Sequence, residues 1–211
     1  MAVVITVAQQ KGGAGKTMLA ANIAATLAAT HKVAMLDIDP QRSLTRWHQL
    51  RAMHKTAPAQ IAFFDISGWR LTAELERLKN SFDIVVIDSP PQIDTDARIA
   101  IRGADLVLVP LQPSPPDFWA AQGTLKLATA ERRPVRLVLN RAPGASKLRL
   151  QIETAIAAQG LPVMTAALGN RAGFANAFAI GLGVTETAPK SLAGREMQAV
   201  IDEIVAETGL R

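Results

Sequence analysis

The run Lys11-Gly12-Gly13-Ala14-Gly15-Lys16-Thr17 directly follows an apolar stretch at residues 3–8, and this junction restricts the fold more than any other feature of the chain. It fits the spacing G-x-x-x-x-G-K-[ST] only loosely, because the glycines stand at 12, 13 and 15. The pattern it matches is K-G-G-x-G-K-[ST], with a second lysine in front. Small residues let successive backbone N–H groups turn inward around a phosphate, and the dipole of the following helix favours negative charge there. In such a loop Lys16 sits on the β- and γ-phosphates, and the Thr17 hydroxyl binds Mg²⁺. Lys11 precedes the cradle and has no obvious phosphate in its own subunit, which points it toward a neighbouring one. A glycine cluster also serves as a plain turn, and a lysine before it as a solvated charge. The apolar run before the loop and the helix-forming residues 18–29, beginning at Met18, favour nucleotide binding.

Size and composition narrow the setting. A chain of 211 residues is read as one domain, 1–211, with a core large enough to need no covalent staples. It has no cysteine, which removes disulfides, Cys-ligated zinc and iron–sulfur clusters, and suits a reducing cytosol. No basic-then-apolar leader opens the sequence, and no apolar run approaches the roughly 18–20 residues that span a bilayer. A cytoplasmic protein is expected. The net charge of +5 is unevenly placed: 12 Lys+Arg oppose 11 Asp+Glu in residues 1–125, against 11 and 7 in residues 126–211. That excess suits a polyanionic partner such as nucleic acid, or equally an ordinary solvated basic face.

Short apolar segments alternate with helical ones along most of the chain. Strands are expected at 3–8, 33–37, 61–64, 82–87, 106–111 and 135–139, with a last one at 163–166. Helices are expected at 17–29, 44–51, 72–79, 117–132, 148–159 and 193–207. Continuous apolar strands between helices imply an α/β fold, a mostly parallel twisted sheet covered on both faces. Ligands in such sheets collect at the carboxyl ends of the strands. Three polar segments begin at such ends: the loop at 11–17, Asp37-Ile38-Asp39-Pro40-Gln41, and Asp88-Ser89-Pro90-Pro91.

Asp88 follows four apolar residues, as a strand-end carboxylate that orients Mg²⁺ does in phosphate-loop enzymes. Asp37 and Asp39, two apart, share a face in an extended strand end. One could support the Mg²⁺ shell while the other holds the attacking water; an Asx-type turn before a helix is the bland alternative.

Together, the segments 11–17, 37–41, 88–91 and Pro113-Ser114-Pro115-Pro116-Asp117 resemble the ParA/MinD family of P-loop ATPases. The stretch Gln41-Arg42-Ser43-Leu44-Thr45-Arg46-Trp47 looks most like the small plasmid-type ParA proteins, and the resemblance runs through nearly the whole chain. It implies a P-loop NTPase fold that binds ATP and ADP with Mg²⁺ and hydrolyses ATP within a sandwich homodimer. By resemblance, Lys11 reaches the partner subunit's nucleotide. Gly12, Gly13, Ala14, Gly15, Lys16, Thr17 and Met18 form the phosphate site, Thr17, Asp39 and Asp88 serve the metal, and Asp39 positions or activates the hydrolytic water. Asn140 and Pro189 match the region that holds adenine. Met18 replaces a more usual second Thr, with little expected effect on Mg²⁺.

Relatives diverge in what they bind. Membrane-targeted members end in an amphipathic helix with large apolar residues, whereas residues 201–211 are acidic and lack Phe and Trp, so no membrane partner is expected. Reductase and kinase relatives need cysteines or a Tyr-rich tail, and this chain has neither Cys nor Tyr. The resemblance then implies a nucleoid-associated ATPase that binds nonspecific DNA through Arg171, Lys190 and Arg195. A ParB-like or adaptor protein would stimulate its hydrolysis to segregate or position a cargo. The alternative is a nucleotide-dependent protein scaffold without DNA binding.

Overall fold

The computed structural model describes residues 1–54, 59–66, 70–92, 95–144 and 146–210. Six parallel strands form one sheet: β1 (Val3–Val7), β2 (Val33–Asp37), β3 (Ile61–Asp65), β4 (Ile84–Asp88), β5 (Leu106–Leu111) and β6 (Val135–Leu139), in the order β3-β2-β4-β1-β5-β6. The helices are α1 (Lys16–Leu27), α2 (Ser43–Ala52), α3 (Leu71–Lys79), α4 (Thr95–Gly103), α5 (Pro115–Ala130), α6 (Lys147–Ala158), α7 (Ala172–Ala179), α8 (Val184–Thr187) and α9 (Leu192–Thr208).

The two-residue period of a strand divides the core. Ile84 and Val86 pack with Ile5, Leu19, Trp47, Val184 and Met197 on the face of α1, α2, α7, α8 and α9. Val85 and Ile87, their neighbours, pack with Leu71, Leu75 and Leu78 of α3 on the opposite face. That opposite layer continues under α5 and α6 through Val107, Val109, Phe118, Leu125 and Ile152. With both faces covered, β4 and β5 are buried at every residue. The chain winds one way from β1 through β2 to β3, then the other way through β5 to β6. The loops leaving β1 and β4 open beside that reversal, where α/β sheets form ligand crevices.

Two expectations need correction. The segment 163–166 is not a strand: Val163 makes one isolated parallel bridge to Leu137. Its backbone is held instead by α9, where Glu203 accepts the N–H groups of Thr165 and Ala166 at 3.0 and 2.6 Å. The fourth strand begins at Ile84, two residues later than expected, and runs one further, taking in Asp88. Helices α4, α7 and α8 were not foreseen. α4 buries Ala97, Ala100 and Ile101 at helical spacing, and α7 buries Phe174 and Ala177. None of the helices is long and apolar enough to cross a membrane among the described residues.

Candidate nucleotide site

Parallel register sets the site's frame. Val7 pairs with Asp88, Asp37 pairs with Asp88, and Asp65 pairs with Asp37, so the ends of β1, β4, β2 and β3 lie in one row. The loop after β1 and the carboxylates of β2 and β4 therefore meet, although separated by up to eighty residues of sequence.

Between β1 and α1, the backbone enters the left-handed region at Gly13 (φ 78°) and Gly15 (φ 94°), which glycine alone adopts freely. Gly15 caps α1 without a side-chain bond, leaving the first N–H groups of the helix for a ligand. Asn140, at the end of β6, braces the loop. Its Nδ2 donates to the Ala14 carbonyl at 2.8 Å, and its Oδ1 accepts the Arg141 N–H at 3.0 Å. A Cβ on Gly15 would stand 2.3 Å from Asn140 Nδ2. Gly15→Ala is therefore expected to destabilise the protein by about 1–3 kcal/mol through forced φ and steric overlap. Thermal unfolding with and without ATP checks this, and an unchanged melting temperature with normal nucleotide affinity would refute it.

Lys16 opens α1 and is buried. Burial pushes its ammonium below the usual lysine range, while Asp88 and then Asp39 pull it back up. Asp88 is fully buried, and neither carboxylate oxygen finds a hydrogen bond of ordinary geometry. Burial pushes its carboxyl up to about 8, with the Thr17 hydroxyl and Lys16 opposing and the charges of Asp37 and Asp39 adding to the rise. A buried carboxyl with two idle oxygens, a hydroxyl beside it and a cation opposite suits a divalent ion. Among the described residues no three His, Cys, Asp or Glu side chains could hold a metal by themselves. That fits Mg²⁺, which takes one or two protein ligands, phosphate oxygens and water. Thr17 and Asp88 are the residues that would hold it, and the ion would supply charge neutralisation at the phosphates.

Asp37 and Asp39 each accept the backbone N–H two residues on, the geometry of the Asx-type alternative. Asp37 Oδ2 accepts the N–H and hydroxyl of Thr45 at 2.9 and 2.8 Å, capping α2, and Oδ1 accepts the Asp39 N–H at 3.1 Å. Both oxygens are thus committed to holding the loop. Asp39 uses Oδ1 to accept the Gln41 N–H at 2.9 Å and lines the cavity beside the phosphate loop.

That cavity, of about 220 Å³, is lined by Gly12, Gly13, Gly15, Lys16, Thr17, Met18, Asp39, Gln41, Ser43, Pro91 and Arg141. Ala14 is buried behind it. Arg141 was missed by the sequence reading; it has φ 48°, a conformation uncommon outside glycine, and its only sequence signal is its place next to Asn140. Pro189 is not brought to the cavity: it lies with Ala25, Ala29 and Arg195 near the far end of α1. Lys11 lies outside the cradle and is ion-paired with Asp117, a carboxylate 3% exposed at the start of α5 that also accepts the Ser114 hydroxyl at 2.5 Å. Of the residues expected to face DNA, Arg171 is bound by Glu196, with Nη2 2.7 Å from Oε1. Arg195 donates to the Lys190 carbonyl at 2.7 Å and carries no ion pair among the described residues.

Comparison with known proteins agrees with this geometry. Residues 5–184 match the family described as the CobQ/CobB/MinD/ParA nucleotide binding domain. The "Maintenance of carboxysome distribution protein A" of Halothiobacillus neapolitanus is 30% identical over 208 residues, 95% of each chain. The "Chromosome-partitioning ATPase Soj" of Thermus thermophilus is 27% identical, covering 96% of this chain and 95% of that one. The fold is similar to that of a Cyanothece McdA variant solved in complex with ATP, with a TM-score of 0.81, 19% identity, and coverage of 100% of this chain and 97% of that chain.

Proposed function

The chain belongs to the CobQ/CobB/MinD/ParA nucleotide-binding family, and on that premise we propose that it is a partition or positioning ATPase built around an ATP-dependent dimer. It takes ATP and ADP with Mg²⁺ and converts ATP and water to ADP and phosphate. The dimer binds duplex DNA without sequence preference, and a partner protein stimulates hydrolysis and release. Its cargo is a plasmid, a chromosome locus or a protein assembly such as the carboxysome of its Halothiobacillus relative.

One observation carries this reading. Lys16 lies buried opposite Asp88 and Asp39 inside the phosphate loop, while the second signature lysine, Lys11, lies outside it. Phosphoryl transfer is mostly positioning and charge stabilisation, and a cation lent by another chain acts as an arginine finger does. Lys11 is 41% exposed, and Asp117 holds it in its own subunit. Exchange of that carboxylate for the neighbour's phosphate makes assembly depend on nucleotide. Asp39 orients the attacking water, and Asp37 fixes Asp39 through its N–H.

Retention of the protein on random-sequence duplex DNA is the test. ATP should increase retention at low salt, and rising salt should remove it. A second reading, a scaffold that ignores DNA, draws on the compensation of Arg171 by Glu196. It prevails if ATP adds no DNA affinity.

The action of Lys11 across subunits has its own test. Lys11→Ala alone should abolish hydrolysis in the dimer, as should Lys16→Ala alone. Mixing the two variants creates hybrid dimers in which one pocket has both its own Lys16 and the partner's lysine at 11. A mixture that recovers part of the wild-type rate supports action between subunits, and one that stays inactive refutes it.

A further inference from the structure

A group of cationic side chains lies away from both the phosphate loop and Arg171. Helices α3, α4 and α5 end at the opposite edge of the sheet, where the Lys79 carbonyl accepts the N–H of Ala2 just ahead of β1. Lys79, Arg102 and Arg133 line one groove there, of about 210 Å³, floored by Leu75 and Ile99. Arg98 stands one turn before Arg102 on α4, and Arg132 adjoins Arg133.

Glu131 and Glu76 pair with these cations, and the exposed Asp83 and Asp105 stand at the same edge, where Asp105 Oδ2 accepts the Val4 N–H at 2.8 Å. Glu131 is 13% exposed, accepts Arg102 Nε and Nη2 at 2.9 and 3.2 Å, and lies 3.8 Å from Arg98 Nη1. The Arg102 bond holds its carboxyl below the usual carboxylate range, with Arg98 and Arg133 contributing. Glu76 pairs with Lys79 at 3.3 Å. The guanidiniums propped by Glu131 still face outward, at 55% and 60% exposure for Arg98 and Arg102.

Cations at helix C-termini are ordinarily explained by the dipole, which amounts to about half a charge per helix. Two further observations exceed that explanation. Arg132 has φ 54°, at the position past a helix end that glycine usually fills, and no ion pair holds it among the described residues. Arg133 Nε is buried without a hydrogen-bond partner.

We infer that this rim is where the protein holds duplex nucleic acid by its phosphates. Guanidinium forks match phosphate oxygens bidentately, and such contacts are blind to sequence. The rim is remote from the phosphate loop, so nucleotide and nucleic acid can bind together. The inference rests on the DNA-binding reading above and gives it a surface.

The test uses the full chain with ATP and Mg²⁺ on random-sequence duplex DNA across a salt series. Arg132→Gly removes a cation from a turn that suits glycine, so misfolding cannot account for lost binding, and Arg98→Gln removes a second. The double variant should bind at least ~10-fold more weakly at low salt, with the slope of log K against log salt reduced by about 2, because each phosphate contact contributes ~0.9. ATP affinity should not change. Lys190→Gln with Arg195→Gln is the comparison. If that pair weakens DNA binding and the rim pair does not, the DNA lies on α9 and the inference is wrong. It is also wrong if polyglutamate displaces DNA from the wild type at equal charge concentration, which would make the rim a site for an acidic protein segment. Wild-type protein that ignores DNA overturns the function and the surface together.

Discussion

Lys16→Ala is expected to raise the dissociation constants for ATP and ADP at least ~100-fold, about 3 kcal/mol, since removing one member of a buried charge group leaves the others uncompensated. The side chain is buried and already bears the cost of desolvation. That cost is offset by Asp88, by Asp39 and, when nucleotide is present, by phosphate. Truncation removes the cation that opposes the charge of Asp88 and leaves that carboxyl buried beside Asp37 and Asp39. Isothermal titration with ADP and Mg²⁺ reads the effect directly. Affinity within threefold of the wild type would mean that phosphate is bound elsewhere.

Asp39→Ala should lower the hydrolysis rate about 10²–10⁴-fold, the range expected for a positioned carboxylate acting on water, while nucleotide affinity changes only a few-fold. The separation follows from the hydrogen bonds. Asp39 makes one bond to the Gln41 N–H, and its own N–H is held by Asp37, so truncation leaves the Asp37–Thr45 anchor of α2 intact. The phosphate loop is braced independently by Asn140. ATP should therefore accumulate uncleaved on the variant, as a single-turnover assay with labelled ATP would show. Normal turnover by Asp39→Ala removes this residue from the reaction.

How far the site could be read in advance depends on how local each residue's role is. Gly13, Gly15, Lys16 and Thr17 act within one turn of backbone, so their spacing alone conveyed the cradle. Asp88 was legible because an apolar run ending in an acid marks a strand end. Asp37 looked interchangeable with Asp39, but the Thr45 hydroxyl and N–H, eight residues on, commit it to capping a helix. Asn140 was placed by resemblance in the region that holds adenine, and its amide also spans 126 residues to hold the Ala14 carbonyl, a role no local pattern marks. Arg171 looked like a free cation until Glu196, one face of α9 away, closed on it. Pro189 was assigned by position relative to the last helix, and the packing of α8 and α9 on α1 carries it to the far end.

By itself the sequence determined the strand–loop–helix unit, the alternation of apolar strands with helices, and the glycines that bend the loop ahead of Lys16. Each of these depends on neighbours within a few positions, where period and backbone conformation act directly. Tertiary structure alone decided which charges stay free. Lys11 rests on Asp117, Arg171 on Glu196, and Arg98 and Arg102 of α4 close on Glu131. An ion pair depends on separation in space, and only the order of strands and the packing of helices bring residues 25 to 106 positions apart within reach.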